Sequence, residues 1–509
     1  MGIDLSKKRS KASLFSATLL SATFMVGSGW LFSAQLSARA AGNWSFLAYF
    51  LSAVIVAAVG MCLSKVVGVY PVRGATARSS SLSHNSLFGM PFAFANWFGI
   101  MVTVATEAQA TTQYLSAAIG SDHLMQNSSL TYAGKSLALM ILFLYLMINY
   151  YGIKVLARVN NVVSVLKIFT PIFTILVLII AAFHEGTGGT QNFYLTTNSE
   201  FTPSDAIGAI IGAGLIYSFN GFQTSVAYAS EIENPKRNVP ISIITSIGIV
   251  LVLYLGLQYA FMASVPHEIL LMKGGWSGMN FSSPLLNLSM LLGLNFLAIL
   301  LLADSVISPS GTGYAYLGAS SRMLYGMAKE KQVPGFIAKL DPIYNFSKRS
   351  MLINFFLVAI VLWNAKNWSC LMIVVTGYHT IGYMAAPVSM GGIFPKYRPF
   401  GIVVFIILGL VMNTISSSHL LAMNLSLTTV MVIYSSIQNR IGIGLSKILY
   451  FNCPFLLYLW IIYLVDNVWI TVIVSAIVYV SLTNKRYVSF CRTSIARNDT
   501  ELDEQRATQ

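Results

Sequence analysis

Apolar residues run along this chain in blocks of about twenty, with short polar segments between them. A run of that length crosses ~30 Å of hydrocarbon as a helix. Fourteen such spans are read at 12–39, 44–68, 88–119, 133–152, 158–183, 205–230, 239–264, 285–319, 350–365, 367–390, 399–416, 418–437, 447–465 and 467–484. No signal-peptide cleavage site follows the first span, so it reads as an uncleaved helix. Between the second and third spans, Val69 to Leu87 is too polar to span and too long for a tight turn. It contains Pro71, Arg73, Gly74, Arg78 and a serine run, and fits either a cytoplasmic loop or a short amphipathic helix. The tail from Lys485 onward is short and polar and reads as disordered.

Composition agrees with the blocks. Of 509 residues, 56% are hydrophobic and only 9% charged, against roughly 25% charged in a soluble domain. A soluble protein could not cover its surface with so few charges, so this is an all-α polytopic membrane protein. The net charge of +14 raises nucleic acid as a partner, but the distribution of charge argues for a lipid bilayer and no nucleic acid. All but five of the 31 Lys and Arg lie in segments that face one side of the membrane. The exceptions are Arg39, Lys135, Lys273 and Lys366 in opposite-side loops, and Lys167 inside the fifth span. By the positive-inside rule both termini are cytoplasmic, and the expected location is the cytoplasmic membrane. The four cysteines form no CxxC pair and the six histidines no HxxxH or HExxH. No metal site, disulfide framework or cofactor is therefore indicated.

Two spans are interrupted. The first reads Met25-Val26-Gly27-Ser28-Gly29-Trp30 near its middle, and each glycine costs a helix about 1 kcal/mol relative to alanine. Close helix packing through small residues is one reading. A true break is the other, tolerated at bilayer depth only where it lines a protein or aqueous cavity. The sixth span reads Tyr217-Ser218-Phe219-Asn220-Gly221-Phe222-Gln223-Thr224, with polar residues where lipid-facing ones would be apolar. Spans one and six begin two blocks of five. Paired interruptions in corresponding positions point to an inverted-repeat transporter with a midplane site. Free N–H groups at a half-helix N-terminus attract a carboxylate, and free carbonyls attract a cation. An amino acid carries both groups.

Few ionisable residues lie deep in the spans: Glu107 in the third, Lys167 in the fifth, Asp304 in the eighth and His379 in the tenth. A charge at that depth is costly unless paired or wet, so each is a functional candidate. Glu107 and Asp304 lie on corresponding spans of the two blocks. Two carboxylates and an amine could form a network that trades a proton. A structural ion pair or a helix–helix hydrogen bond is the plainer alternative for each.

After the sixth span comes Glu231-Ile232-Glu233-Asn234-Pro235-Lys236-Arg237-Asn238-Val239-Pro240. This E-x-x-N-P-x-R-x-x-P pattern, with the Gly27-Ser28-Gly29 break, resembles the amino acid–polyamine–organocation (APC) superfamily of permeases over spans one to ten. Bacterial aspartate–proton symporters are similar through Gly27 to Phe32, Glu107 with Gln113-Tyr114, Asp304 with Ser308-Pro309, and Arg322 after the eighth span. One departure is Thr112, where those symporters carry an arginine.

The resemblance implies a LeuT-type core of five plus five inverted helices, with about four extra helices, about 14 in all. The corresponding boundaries are a tail at 1–11, a ten-helix core at 12–390 with repeats 12–183 and 205–390, four additional helices at 399–484, and a tail at 485–509. It implies substrate binding by Gly27, Ser28, Gly29, Trp30, Ser218, Asn220, Gly221 and Phe222. Backbone at 27–29 would take the carboxylate, and carbonyls near Ser218 and Asn220 the amine. Trp30, Phe222, Thr106 and Gln109 would shape the pocket. Lys167, with Glu107 and Asp304, would couple a proton. Its ammonium would contact carbonyls of the first span and Ser305 or Ser308, and loss of its proton would release that link.

The expected function is proton-coupled uptake of an amino acid, with an acidic one such as aspartate as a candidate. Exchange of neutral amino acids or amines, and a non-transporting amino-acid sensor, remain open. A membrane enzyme would need a nucleophile, base or metal set at one depth. His379 and scattered serines are the only material for it, so the chain is not expected to be an enzyme.

Overall fold

The computed structural model describes residues 11–72, 75–119, 123–126, 129–151, 153–183, 188–194, 201–341, 346–440, 442–489 and 491. The expected tail at 1–11, except Lys11, and the expected tail at 485–509, except 485–489 and 491, lie outside them; 485–489 are helical rather than disordered, because Tyr487, Val488 and Cys491 are buried. Among the described residues, ten helical stretches are long and apolar enough to cross a membrane, and two shorter apolar helices, Leu14–Met25 and Val468–Thr483, accompany them. The protein is a multi-pass membrane protein.

In chain order the first helices are α1 (Leu14–Met25), α2 (Gly29–Ala41), α3 (Ser45–Val69), α4 (Ala75–Ser83), α5 (Ser86–Ile119), α6 (Tyr132–Tyr151) and α7 (Ile153–Ala181). A two-residue hairpin, β1 (Met125–Gln126) against β2 (Ser129–Leu130), joins α5 to α6. Then follow α8 (Pro203–Gly212), α9 (Leu215–Ser218), α10 (Thr224–Ala227), α11 (Pro235–Ser264), α12 (His267–Met272), α13 (Pro284–Leu291) and α14 (Asn295–Lys329). The rest are α15 (Lys348–Asn364), α16 (Trp368–Tyr383), α17 (Ala385–Ile393), α18 (Arg398–Asn413), α19 (Ser417–Arg440), α20 (Leu445–Leu464) and α21 (Val468–Thr483).

Several boundaries follow from local chemistry. Ser13 caps α1 by accepting from the Ser16 N–H, and Asn367 caps α16 by accepting from the Cys370 N–H. Proline opens α8, α11 and α13, where its missing N–H costs nothing. Asn234 precedes α11 in the left-handed region at φ 43° and gives the E-x-x-N-P segment its sharp corner. Ala12 pairs in parallel with Ile232 of that segment, through Ala12 N–H to Glu231 O and Glu233 N–H to Ala12 O.

Two expected spans are built differently, and the polar stretch between the second and third takes one of its two expected forms. The eighth, read as 285–319, is two helices. The chain turns through Gly293 at φ 68°, and α14 continues to Lys329. Arg322 therefore lies within α14 rather than after it. There it donates to Tyr228 Oη at 2.8 Å. The sixth span breaks twice, because Gly214 at φ 71° separates α8 from α9 before the expected interruption. The polar stretch after Val69 is the helix α4, which packs its buried face on α5 and α17.

α5 forms the centre, with 94% of its apolar window buried against α14, α16 and α4. The outward faces are apolar, as at Val252, Phe296, Ile299, Leu457 and Val480. That is the surface a hydrocarbon solvent requires.

Candidate functional site

The interruptions at residues 26–28 and 219–223 lie against each other. Gly221, at φ 124°, sits on the backbone where α1 ends. A Cβ there would lie 2.6 Å from the Phe24 carbonyl carbon and 2.7 Å from Met25 N. Gly29 meets Ser218 less closely, its Cβ position being 3.1 Å from Ser218 Oγ. Glycine is thus required at Gly221 for both contact and conformation, while at Gly29 a methyl would be tight against Ser218. Tyr254 of α11 joins the two breaks. Its hydroxyl lies 2.9 Å from both the Met25 and Ser218 carbonyl oxygens. These are groups a helix end leaves without partners.

Glu107 occupies the N-terminus of α2. Its Oε2 accepts from the Ser28 N–H at 2.8 Å, and its Oε1 accepts from the Tyr217 hydroxyl at 2.7 Å. Tyr217 Oη is also 3.0 Å from Ser28 Oγ and 2.9 Å from Thr106 Oγ1, and Trp368 Nε1 donates to Ser28 Oγ at 3.1 Å. Proton counting orders this chain, since an indole only donates and a carboxylate only accepts. Trp368 donates to Ser28, Ser28 to Tyr217, and Tyr217 to Glu107. Trp368 stacks on Phe32 at 4.4 Å between centroids and meets Tyr217 edge-on at 5.6 Å, closing this end of the site.

Lys167 lies on the other side of α1. Its Nζ donates to the Thr23 carbonyl at 3.3 Å and to Thr312 Oγ1 at 2.5 Å. Thr312 Oγ1 in turn reaches the Ser308 carbonyl at 3.3 Å. The Lys167 side chain therefore ties α7, α1 and α14 together. Pro309 leaves the Ser305 carbonyl without its helical donor, and Thr111 of α5 supplies one through Oγ1 at 3.1 Å.

Two small cavities flank Thr312. One is lined by Phe24, Met25, Gly27, Gly29, Thr103, Glu107, Tyr217, Asn220, Thr312 and Tyr316. The other lies between Thr23, Phe24, Ser164, Lys167, Gly311 and Thr312. The two interrupted helices close on the first, polar cavity, and residues 13–483 match the amino acid permease family. The chain belongs to that family.

The permease is 31% identical over 385 residues to the glutamate/serine transporter AimA of Bacillus subtilis, covering 74% of this chain and 70% of that protein. It is 28% identical over 379 residues to the aspartate-proton symporter of the same organism, covering 74% and 71%. A methylthioribose transporter from that organism is 23% identical over 399 residues, covering 76% and 79%. These relatives are transporters, and they fit the APC resemblance carried by the glycine break and the E-x-x-N-P segment.

In the permease, Gly27, Gly29, Asn220 and Glu107 line one cavity; Ser28, Ser218 and Gly221 do not line it but touch its lining, Ser28 through Glu107, Ser218 through Gly29 and Gly221 through Phe24 and Met25. Trp30 and Phe222 do not line it. Trp30 is buried with its indole N–H unpartnered, and Phe222 packs edge-on against Tyr383. Thr106 reaches the site through Tyr217, while Gln109 is buried elsewhere with both amide atoms unpartnered. The expected contact of Lys167 with Ser305 or Ser308 is made by Thr312 instead. Thr312 lies one turn beyond Ser308 on the same face of α14. The Ser28 N–H expected to receive a substrate carboxylate holds Glu107. Asp304 lies apart from the cavity, and His379 packs over Gly99 and on Tyr383. Tyr217, Tyr254, Thr312, Tyr316 and Trp368 were not singled out from the sequence. A tyrosine or threonine in an apolar span carries no signal of its own.

Proposed function

We propose that this permease takes up an amino acid by proton symport across the cytoplasmic membrane. Its core would be the ten-helix inverted repeat of residues 12–390, with four further helices at 399–484 and both termini cytoplasmic. The carrying observation is the pair of breaks crossing at Gly221 and Gly29, with a buried lysine bonded to α1 beside them. Such crossed half-helices offer N–H groups and carbonyls to the two ends of one amino acid. With the Gly27 and Ser28 N–H groups engaged by Met25 O and Glu107, the substrate carboxylate would be received by the Gly29 N–H and by Asn220 Nδ2, which is buried without a partner. The ammonium would be received by Glu107. Tyr316 Oη, also unpartnered, is left for a polar side chain.

The lining favours a small neutral amino acid over aspartate. Its ten residues carry one acid, Glu107, and no lysine or arginine. Lys167 is spent on Thr23 and Thr312 behind the wall. An acidic side chain would therefore meet a like charge and no cation. Thr112, where the arginine of the aspartate symporters was expected, donates to its own helix at Ala108 O.

Purified permease in liposomes tests the reading with labelled serine, alanine, aspartate and glutamate, with and without an inward proton gradient. Uphill serine or alanine accumulation that collapses with the gradient is expected. Uptake that ignores the gradient but needs internal amino acid would replace symport with exchange. Preferential aspartate uptake would overturn the neutral assignment alone.

A further inference from the structure

The two buried carboxylates of the core are in opposite situations. Glu107 has donors on both oxygens, from Ser28 N–H and Tyr217. Asp304 is 2% exposed, and neither of its oxygens has a hydrogen-bond partner. An unpartnered buried carboxylate is among the costliest groups a protein can hold, so something must compensate it. Its polar neighbours are the hydroxyls of Ser308 on its own helix and Thr170 on α7. Both are fully buried, and neither hydroxyl has a partner in hydrogen-bonding geometry. Asp304, Ser308 and Thr312 are four residues apart in turn and form one stripe of α14. Opposite them on α7 stand Lys167 and, three residues on, Thr170. Asp304 is roughly 12 Å along the helix from Thr312, where Lys167 is bonded, and the two idle hydroxyls lie in the interval. Lys167 is close enough to interact electrostatically with both carboxylates, more strongly with Glu107 than with Asp304, and no ion pair joins it to either; Glu107 differs in having both oxygens already held by donors.

We propose that Asp304 is the proton-exchange partner of Lys167, connected to it through the Ser308 and Thr170 hydroxyls, and that Glu107 is not. This rests on the proton-coupled reading above and names its carrier. In the transfer an N–H bond of the Lys167 ammonium breaks and its proton passes to a hydroxyl oxygen. That hydroxyl releases its own proton to an Asp304 oxygen. The pair passes from ammonium and carboxylate to amine and carboxylic acid, with no net change of charge and no other reactant. The neutral amine holds the Thr23 carbonyl and Thr312 less strongly than the ammonium does, so α1 is loosened from α7 and α14. With both termini cytoplasmic, α14 runs inward, and Asp304 lies on the outer side of Lys167, where an incoming proton arrives first.

Other titratable groups around Asp304 are otherwise engaged. Tyr114 of α5 donates to the Leu31 carbonyl, and Tyr145 of α6 to Ser310. α13 carries no titratable side chain. On α15, Lys348 pairs with Asp341 and Arg349 donates to Phe336 O, both at the helix start. Arg78 of α4 pairs with Glu330 at the far end of α14.

The test is proton movement per substrate, read with a pH-sensitive dye trapped in proteoliposomes while labelled amino acid is counted. Asp304→Asn, nearly isosteric, is expected to lower the ratio of protons to substrate at least tenfold. Thr170→Val with Ser308→Ala keeps the acid and is expected to slow proton movement about tenfold at unchanged final stoichiometry. Melting temperature in detergent reports folding, and if Asp304→Asn does not fold the double hydroxyl variant decides. Wild-type proton movement that persists in either variant overturns the inference and leaves symport standing. Absence of substrate-linked proton movement in the wild type overturns both. Accumulation driven by a sodium gradient at equal pH would give these oxygens to a metal ion and overturn the proton assignment.

Discussion

Replacing Gly27 with alanine should disable the site without unfolding the protein. The added methyl would lie 2.8 Å from Glu107 Oε1, 3.1 Å from Thr312 Oγ1 and 3.2 Å from Thr312 Cγ2. Neither neighbour is free to yield. Glu107 is held by Ser28 N–H and Tyr217, and Thr312 by Lys167 and its own helix. Forcing a methyl into a packed region costs about 1–3 kcal/mol. Pushing Glu107 off Ser28 forfeits a hydrogen bond to a charged group, about 1.5–3 kcal/mol. The packing cost falls on free and bound protein alike, but displacing Glu107, the proposed acceptor of the substrate ammonium, removes about 1.5–3 kcal/mol from binding, and at about 1.4 kcal/mol per factor of ten the apparent affinity should fall at least tenfold. Binding of the transported amino acid to purified protein, followed by scintillation proximity, reads this directly. Gly248→Ala is the control. It lies on the exposed face of α11, and a Cβ there meets nothing within 4 Å, so it should leave binding unchanged and gain stability by about 1 kcal/mol. Thr312→Ser removes the crowding Cγ2 but keeps the hydroxyl for Lys167, so adding it to Gly27→Ala should recover part of the loss as a favourable coupling. Binding by Gly27→Ala within threefold of wild type would refute the steric argument and the placement of Glu107.

Tyr254→Phe leaves the Met25 and Ser218 carbonyls without their shared donor. It should destabilise the protein by about 1–3 kcal/mol, seen as a lower melting temperature in detergent, and an unchanged melt would deny the hydroxyl its bridging role. Gly221→Ala puts a Cβ 2.6 Å from the Phe24 carbonyl carbon at a φ of 124°. Backbone lies on both sides of that contact, so the variant should fail to give monodisperse protein on size-exclusion chromatography. Gln35 holds Phe281 through both its N–H and C=O, as one strand holds another. Gln35→Ala should raise amide hydrogen exchange across residues 277–283 by about tenfold, an opening cost of about 1.4 kcal/mol, and unchanged exchange would show that the loop is held by other contacts.

Hydrocarbon thickness makes the span positions readable, because only a helix of about twenty apolar residues satisfies its own backbone across a bilayer. The breaks were readable for the same reason. A glycine pair or a polar cluster in such a helix has to be tolerated by something, and both prove to be wall elements of one cavity. Lys167, Glu107 and Asp304 stand out for their charge at depth. What each of them does was decided by tertiary packing. Glu107 and Asp304 are alike in sequence, yet α9 brings Tyr217 to one while the other meets only the idle hydroxyls of Thr170 on α7 and Ser308 on its own helix. Thr312 rather than Ser308 meets Lys167 because the relative rotation of α7 and α14 selects one turn of the stripe over the next. Tyr217, Tyr254 and Trp368 are ordinary aromatic residues of apolar spans, and they gain roles from residues between 36 and 340 positions away. Hydropathy and glycine act locally, so the chain itself carries the helices and their breaks. A hydrogen-bond partner across a helix interface depends on rotation and depth, which no local pattern encodes.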